Sequence, residues 1–295
     1  MIALYGPTAS GKSAVAGLLR ERLGGEVVSA DSAALYAGIP ILTAAPAYPA
    51  RLVGVVPLEA DVSVGEYQRL AHEAIDDILA SGRTPIVAGG TGLYLRTALS
   101  GLELPPPPAP GSRERWGALY DEVGPERAHA ELAQLDPAAA AQVHPNDRRR
   151  VIRALELTDL GASLAPAESA LWKADARHPT LLVGLEVPLE ELDARIEARV
   201  AGMIEQGAVA EAQAAWSAQP SQTARKVLGL EEFATLPADE AGAAVLLATK
   251  RLARYQRKWL RRLPVAATLD GTRPPEEIAD EVVALAGAGE RLPRR

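Results

Sequence analysis

Short apolar runs alternate along the chain with longer segments in which apolar residues recur every three or four positions. The runs at residues 2–5, 26–29, 52–56, 85–88, 181–186 and 265–269 have the length of buried strands. Residues 12–23, 64–79, 189–205 and 238–263 carry the helical period. Strands that alternate with helices predict an α/β protein, a mostly parallel sheet flanked by helices. The alternation stops at Pro105-Pro106-Pro107-Pro108, which with the following Ala-Pro-Gly reads as a stiff, extended connector. From residue 112 to about 177 only helical patterns occur, with breaks near Gly124, Asp136 and Pro166. The expected organisation is therefore an α/β core in two parts, residues 1–104 and 178–295, interrupted by an all-helical insertion at 105–177.

Composition narrows this little. At 295 residues and 48% hydrophobic content the chain can bury a sizeable core. It contains no Cys, which excludes disulfides and thiolate metal centres and favours a reducing compartment. Met1 leads directly into the first apolar run, and no run approaches membrane-spanning length, so the expected location is the cytoplasm. His72, His129, His144 and His178 lack metal-ligand spacing. A net charge of −7 argues against a nucleic-acid partner. Yet Lys250, Arg251, Arg254, Arg257, Lys258, Arg261 and Arg262 follow one another with no acidic residue between them. A local basic stripe can thus exist on an acidic protein, with a solvated helix face as the plainer alternative.

The most specific chemical signal lies at the start. Gly6-Pro7-Thr8-Ala9-Ser10-Gly11-Lys12-Ser13 satisfies G-x-x-x-x-G-K-[ST] between a predicted strand and a predicted helix. Such a P-loop surrounds anionic oxygens with backbone N–H groups, Lys12 adds a positive charge, and the Ser13 hydroxyl can ligate Mg²⁺. The core is accordingly expected to be P-loop NTPase-like. A GTPase would need Asn-Lys-x-Asp, but the sequence has a single Asn, Asn146, in His-Pro-Asn-Asp. Val27-Val28-Ser29-Ala30-Asp31 is too polar in its second half for the apolar strand that ends in Asp in motor and transport ATPases. A carboxylate so soon after the loop more naturally faces an acceptor that attacks a bound phosphate ester. A small-molecule kinase is the alternative, with Arg148, Arg149, Arg150 and Arg153 of the insertion clamping ATP.

Further blocks extend this reading. Ser29-Ala30-Asp31-Ser32 with Leu35-Tyr36, Gly89-Gly90-Thr91-Gly92-Leu93-Tyr94, and His144-Pro145-Asn146-Asp147 through Arg153-Ala154-Leu155-Glu156 follow the loop in order. Arg195-Ile196-Glu197 with Arg199-Val200, and Ala248-Thr249-Lys250-Arg251 with Gln256 and Trp259, complete the series. Together they closely resemble the tRNA dimethylallyltransferase (isopentenyl-tRNA transferase) family over nearly the whole chain. The resemblance implies transfer of a dimethylallyl group from its diphosphate to N6 of the adenosine beside the anticodon.

Adenine N6 is a poor nucleophile, so a carboxylate that takes its proton should help by roughly 10²- to 10⁴-fold. The resemblance gives that role to Asp31, which read alone is equally a helix N-cap. It implies that Gly6 to Ser13, with Lys12, Mg²⁺ held partly by Ser13, and Arg225 or Lys226, stabilise the departing diphosphate. Thr91 would lie near diphosphate and base, although alone it is a turn residue. Asp31, Ser32, Ala33 and Ala34 would meet the extracted base, and Arg113 would lie near the tRNA. Arg254, Arg257 and Lys258 would follow phosphates while the insertion closes over the anticodon stem-loop. Tyr255 and Trp259, at helical spacing, read as core packing rather than base stacking. The expected partners are the tRNA anticodon stem-loop and dimethylallyl diphosphate, with no membrane, and the protein is expected to be a monomer.

Two blocks depart from the family. Leu42-Thr43-Ala44-Ala45-Pro46 stands where members commonly carry Gly-Thr-Ala-Lys-Pro, so the lysine charge is missing. Arg51-Leu52-Val53-Gly54-Val55 replaces a His-Leu-Leu-Asp-Ile-like segment. A non-catalytic tRNA-binding module that retains the loop is a third reading of the chain.

Overall fold

A computed structural model describes residues 1–165 and 175–289. The described residues fall into two compact units, one formed by the chain before Glu103 and after Ala170, the other by the stretch between. The break expected at Pro166 lies outside the described residues.

In the first unit six strands, β1 (Ile2–Tyr5), β2 (Glu26–Ser29), β3 (Ala50–Arg51), β4 (Pro85–Gly89), β5 (Leu181–Glu186) and β6 (Ala267–Asp270), form one parallel sheet in the order β3-β2-β4-β1-β5-β6. Its helices are α1 (Lys12–Arg22), α2 (Pro40–Thr43), α3 (Val64–Ala80) and α4 (Gly92–Leu99) before the insertion. The insertion contributes α5 (Ser112–Val123), α6 (Pro125–Leu135), α7 (Pro137–Ala140) and α8 (Arg148–Thr158). After it come α9 (Leu189–Glu205), α10 (Ala208–Ser217), α11 (Leu230–Thr235), α12 (Ala238–Leu260) and α13 (Pro275–Gly287).

The central strands read as unbroken apolar runs because helices cover both faces. Ile2 and Leu4 share one layer with Val27, Ile86 and Val183, closed by Val15 and Leu19 of α1 and Ile278 and Val282 of α13. Ala3 and Tyr5 point the other way, with Val28, Val87 and Leu182, into a larger core built by α3, α4, α9 and α12. Local signals set the helix ends. Ser63 and Glu66 form a reciprocal capping box at the start of α3, with bonds of 3.1 and 2.7 Å. In α12, Asp239 and Glu240 occupy the first turn and Arg257 and Lys258 the last, each charge favourable to the helix dipole.

The strand expected at 52–56 is corrected: β3 is two residues long and ends at Arg51. Leu52 and Gly54 both take φ of 62°, which turns the chain out of the sheet. The apolar run instead lies along the loop after β2, with the Gly54 amide donating to the Ala34 carbonyl and the Ala37 amide to the Val56 carbonyl, both at 2.8 Å. Leu52 and Val56 are buried there, so the hydrophobicity reflected core packing along this loop, with a single parallel bridge between Tyr36 and Val56, and not a strand of the sheet. The last strand runs 267–270 rather than 265–269.

The second unit packs its helices around Tyr120, Leu132, Val143, Val151, Ile152 and Leu155. Glu156 is fully buried within it, and its carboxylate accepts bonds from Arg113 Nε at 2.8 Å and Arg153 Nη1 at 2.9 Å. Arg177, where the insertion was expected to end, belongs with the core unit. Its amide donates to the Leu99 carbonyl and its guanidinium to Asp76, both at 2.8 Å.

One packing contact can be tested directly. A Cβ on Gly89 would sit 2.1 Å from the Ala30 carbonyl oxygen, against backbone that cannot rotate away. Gly89→Ala is expected to lower the unfolding free energy by about 1–3 kcal/mol, measured as a shift in the urea midpoint.

Candidate active site

Strands β2, β4 and β1 are neighbours, so the loops that leave their carboxyl ends converge on one edge of the sheet, where open parallel sheets form their crevices. After β1 the chain passes through Ala9 at φ 63° and Gly11 at φ 87° before entering α1. This left-handed backbone turns amides inward. No side chain caps α1 and its first turn holds no acid, so the orphan amides of Lys12, Ser13 and Ala14 are left for an anion. The Ser10 hydroxyl is buried and has no hydrogen-bond partner among the described residues. Lys12 Nζ donates to the Pro7 carbonyl at 3.2 Å, and Ser13 is exposed.

Asp31 and Thr91 occupy the two adjoining loops. The Ala30 amide donates to the Ala88 carbonyl at 2.8 Å and the Thr91 amide to the Ala30 carbonyl at 3.3 Å. The Ser32 amide donates to Thr91 Oγ1 at 3.3 Å, with the two hydroxyls 3.5 Å apart. No helix starts at Ser32, so the N-cap alternative for Asp31 gives way to a tight turn in which Asp31 Oδ1 accepts the Ala33 amide at 3.0 Å. Thr91 stands at the N-cap position of α4 but its side chain does not cap the helix.

Helix α12 fastens these loops together. Gln256 Oε1 accepts the Thr8 amide at 2.7 Å, and the Gln256 carbonyl accepts the Tyr5 hydroxyl at 3.1 Å. A Cβ on Gly90 would meet Gln256 Nε2 at 2.5 Å, and one on Gly92 would meet the Trp259 ring at 2.2 Å. Both glycines are thus required by the close approach of one helix.

Thr8, Lys12, Ser13, Asp31, Tyr48 and Arg199 line a single pocket at this edge. Burial pushes the Lys12 pKa down to about 8; Arg199 lowers it further while Asp31 opposes the shift. Burial also depresses the Arg199 pKa against the opposing pull of Asp31, but a guanidinium remains charged. Tyr48 packs so closely on α1 that a Cβ on Gly17 would lie 2.8 Å from its ring, and its hydroxyl donates to the Ser13 carbonyl at 2.7 Å. Ala44 and Ala45 complete the wall where the family's lysine is missing. Two cations and one carboxylate around an uncapped helix N-terminus can hold a polyanion next to a proton acceptor.

Residues 34–263 match the IPP transferase family. The chain belongs to that family. It is 41% identical over 284 residues to a tRNA dimethylallyltransferase of Streptomyces coelicolor, covering 92% of this chain and 90% of the relative. To the tRNA dimethylallyltransferase of Anaeromyxobacter dehalogenans it is 39% identical over 294 residues, covering 96% and 98%. The crystal structure of a tRNA isopentenylpyrophosphate transferase from Bacillus halodurans superimposes with a TM-score of 0.69 at 29% identity, covering 98% of this chain and 95% of that one. A eukaryotic dimethylallyltransferase acting on tRNA shares the fold, with a TM-score of 0.77 at 23% identity over 97% of this chain and 78% of its own.

Within this IPP transferase the structure does not gather every expected residue at the pocket. Arg225 and Lys226 form a 3₁₀ turn, Ala224–Lys226, and neither lines it. The Arg225 guanidinium lies 5.1 Å over the Trp216 ring and its Nε donates to the Pro220 carbonyl at 2.9 Å. The charge of Lys226 acts on Asp61. Arg199 stands at the pocket instead, a residue quoted in the family block but given no role. Gln256 was likewise visible only as a letter of a family block, because its contacts arise in three dimensions. Arg113 is bound to Glu156 in the helical unit. Arg254 pairs with Asp193 at 2.8 Å, Arg257 with Glu186 at 3.1 Å, and Lys258 is exposed. Trp259 packs against the core as expected. Tyr255 does not: it is 57% exposed, because its position on α12 faces away from the helix side that carries Gln256.

The lowered Lys12 pKa predicts a pH-dependent anion site. Below about pH 8 Lys12 is charged before an anion arrives; above it, binding must also take up a proton. Calorimetric affinity for inorganic pyrophosphate is expected to fall by roughly tenfold per pH unit above that point. Lys12→Arg, which does not titrate in this range, reports the titration of pyrophosphate itself and is expected to show a shallower slope.

Proposed function

We propose that this IPP transferase moves a dimethylallyl group from dimethylallyl diphosphate to N6 of the adenosine beside the anticodon in tRNA, releasing diphosphate. The observation that carries the reading is the placement of the Asp31 carboxylate in one pocket with the anion loop, Lys12 and Arg199. Close identity over nine-tenths of the chain to tRNA dimethylallyltransferases supports it.

In this reading the first-turn amides of α1, Lys12 and Arg199 hold the diphosphate, and the orphan Ser10 hydroxyl fits an additional anionic oxygen. As the allylic carbon–oxygen bond breaks, its electron pair stays with the diphosphate, where these charges are already in place. N6 forms the new carbon–nitrogen bond and its proton passes to Asp31. The turn bond to Ala33 engages Oδ1 and fixes the carboxylate for that transfer. Thr91, tied to Ser32, would hold the loop beside the base. Val27, Ala34, Ala50 and Val53 supply an apolar wall that keeps water from the prenyl group. The Ser13 hydroxyl together with diphosphate oxygens is a hard, all-oxygen donor set that suits Mg²⁺. When bound, the ion would neutralise part of the leaving group's charge.

The kinase alternative is not favoured. Two of the arginines it needs are engaged within the helical unit, Arg148 with Asp121 at 2.6 Å and Arg153 with Glu156 at 2.9 Å. Among the described residues no helix is long and apolar enough to cross a membrane. The proposed setting is the cytoplasm, with the chain acting as a monomer on the anticodon stem-loop and the helical unit, including Arg113, contributing to tRNA binding.

Mass spectrometry of nucleosides from unmodified tRNA, after incubation with protein, Mg²⁺ and dimethylallyl diphosphate, tests the reading. One prenyl group is expected on adenosine with the parent protein. Asp31→Ala should reduce kcat by roughly 10²- to 10⁴-fold, and Arg199→Ala should raise KM for the donor. ATP consumption without prenylation would overturn the proposal.

A further inference from the structure

Helix α12 has two unlike faces. Ala241, Val245, Ala253, Gln256 and Leu260 are buried on one side, while Leu247, Arg251, Arg254, Tyr255 and Lys258 project from the other. Leu247 is 52% and Tyr255 57% exposed, so a large aromatic ring stands in solvent on the most basic segment of the chain. Arg254 is neutralised by Asp193, but Arg251 and Lys258 make no ion pair among the described residues. The ring therefore lies between two available cations.

Its place relative to the pocket is fixed by its neighbour. Gln256 bonds the Thr8 amide and lies against Gly90, so Tyr255 marks the outer side of the turn that touches both loops of the site. The Tyr5 hydroxyl, bonded to the Gln256 carbonyl, feels both Tyr255 and Asp31, which, after burial, raise its pKa. Exposed aromatic rings interleaved with cations are the arrangement that binds single-stranded nucleic acid, rings stacking on bases and cations following phosphates.

We propose that Tyr255 is a stacking platform for an unpaired base of the anticodon loop next to the adenine held at Asp31, with Arg251 and Lys258 on the flanking phosphates. The proposal rests on the tRNA-modifying reading above and adds a positioning residue to it. Extraction of the target adenine removes a stacking partner from its neighbour. The Tyr255 ring would replace that partner and hold the loop open while the reaction proceeds.

The test uses the full chain and anticodon stem-loops carrying 2-aminopurine at each unpaired position in turn. One position is expected to be quenched on binding to the parent and to Tyr255→Phe, and not with Tyr255→Leu or Tyr255→Ala. The last two should raise KM for tRNA by about 5- to 100-fold and leave pyrophosphate affinity within about twofold, showing that the fold and the anion site persist. Arg251→Gln and Lys258→Gln should each reduce the salt slope of tRNA binding by about one, whereas the Tyr255 variants leave it unchanged. Parent-like KM and quenching with Tyr255→Leu would overturn the stacking role. So would a parent protein that self-associates through this face, with dimerisation rather than tRNA binding lost in Tyr255→Ala. A parent protein that never prenylates tRNA would defeat the functional reading itself, whereas an active parent with an indifferent Tyr255→Ala defeats only the platform.

Discussion

The loops that follow β2 and β4 touch backbone to backbone. Gly89 rests against the Ala30 carbonyl with no room for a methyl group, and the Thr91 amide bonds that same carbonyl. Everything at the sheet edge depends on this contact, because it sets Asp31 and Thr91 side by side at a fixed offset from the loop after β1. Glycine is needed at Gly89, Gly90 and Gly92 for one shared reason: other backbone or α12 side chains occupy the space where a Cβ would point. Gln256 then ties the third loop to the same frame through the Thr8 amide. A site held by backbone packing and main-chain bonds is stiff, as the proposed placing of a proton acceptor against the attacking nitrogen would require.

The pocket concentrates positive charge at some expense to the folded state. Lys12 is deprotonated more readily here than in an unfolded chain, so its charge opposes folding below about pH 8. The penalty is relieved as pH rises from that value toward the ordinary lysine pKa, the opposite direction from the proposed anion binding. Arg199 sits under the same burial and is balanced by the same carboxylate. One acid among two half-buried cations leaves the pocket short of negative charge, which a diphosphate would supply. The uncapped first turn of α1 and the unpartnered Ser10 hydroxyl point in the same direction.

Charge along the sequence and charge on the surface differ for a related reason. The run from Lys250 to Arg262 has no acid within it, yet Glu197, Asp193 and Glu186 reach across from α9 and β5 to Lys250, Arg254 and Arg257. The basic stripe is reduced to particular residues, and Arg251 and Lys258, which make no ion pair among the described residues, lie on either side of Tyr255 along the helix. On a chain of net charge −7, selective pairing of this kind can leave a small cationic patch beside an otherwise acidic surface.

The phosphate loop, the order of strands and helices and the interruption after the proline run were legible because each depends on local spacing. G-x-x-x-x-G-K-[ST] specifies a turn within eight residues, and buried strands and amphipathic helices announce themselves through their periods. Asp31 and Thr91 were legible only through the company of their neighbouring blocks, since each alone is an ordinary turn or cap residue. Arg199 could not be separated from other helical arginines; Arg225 or Lys226 was the cation expected at the diphosphate, and neither lines the pocket, Arg225 lying over Trp216. The run at 52–56 misled because burial raises hydrophobicity whether or not a segment pairs. Tyr255 misled because helical spacing tells which residues share a face, not which face is covered. The sequence by itself determined most of the elements and the anion loop; the tertiary structure decided which cations meet the loop and which ring faces water. Those outcomes rest on contacts between residues far apart in the chain, whose side chains carry no mark of their partners.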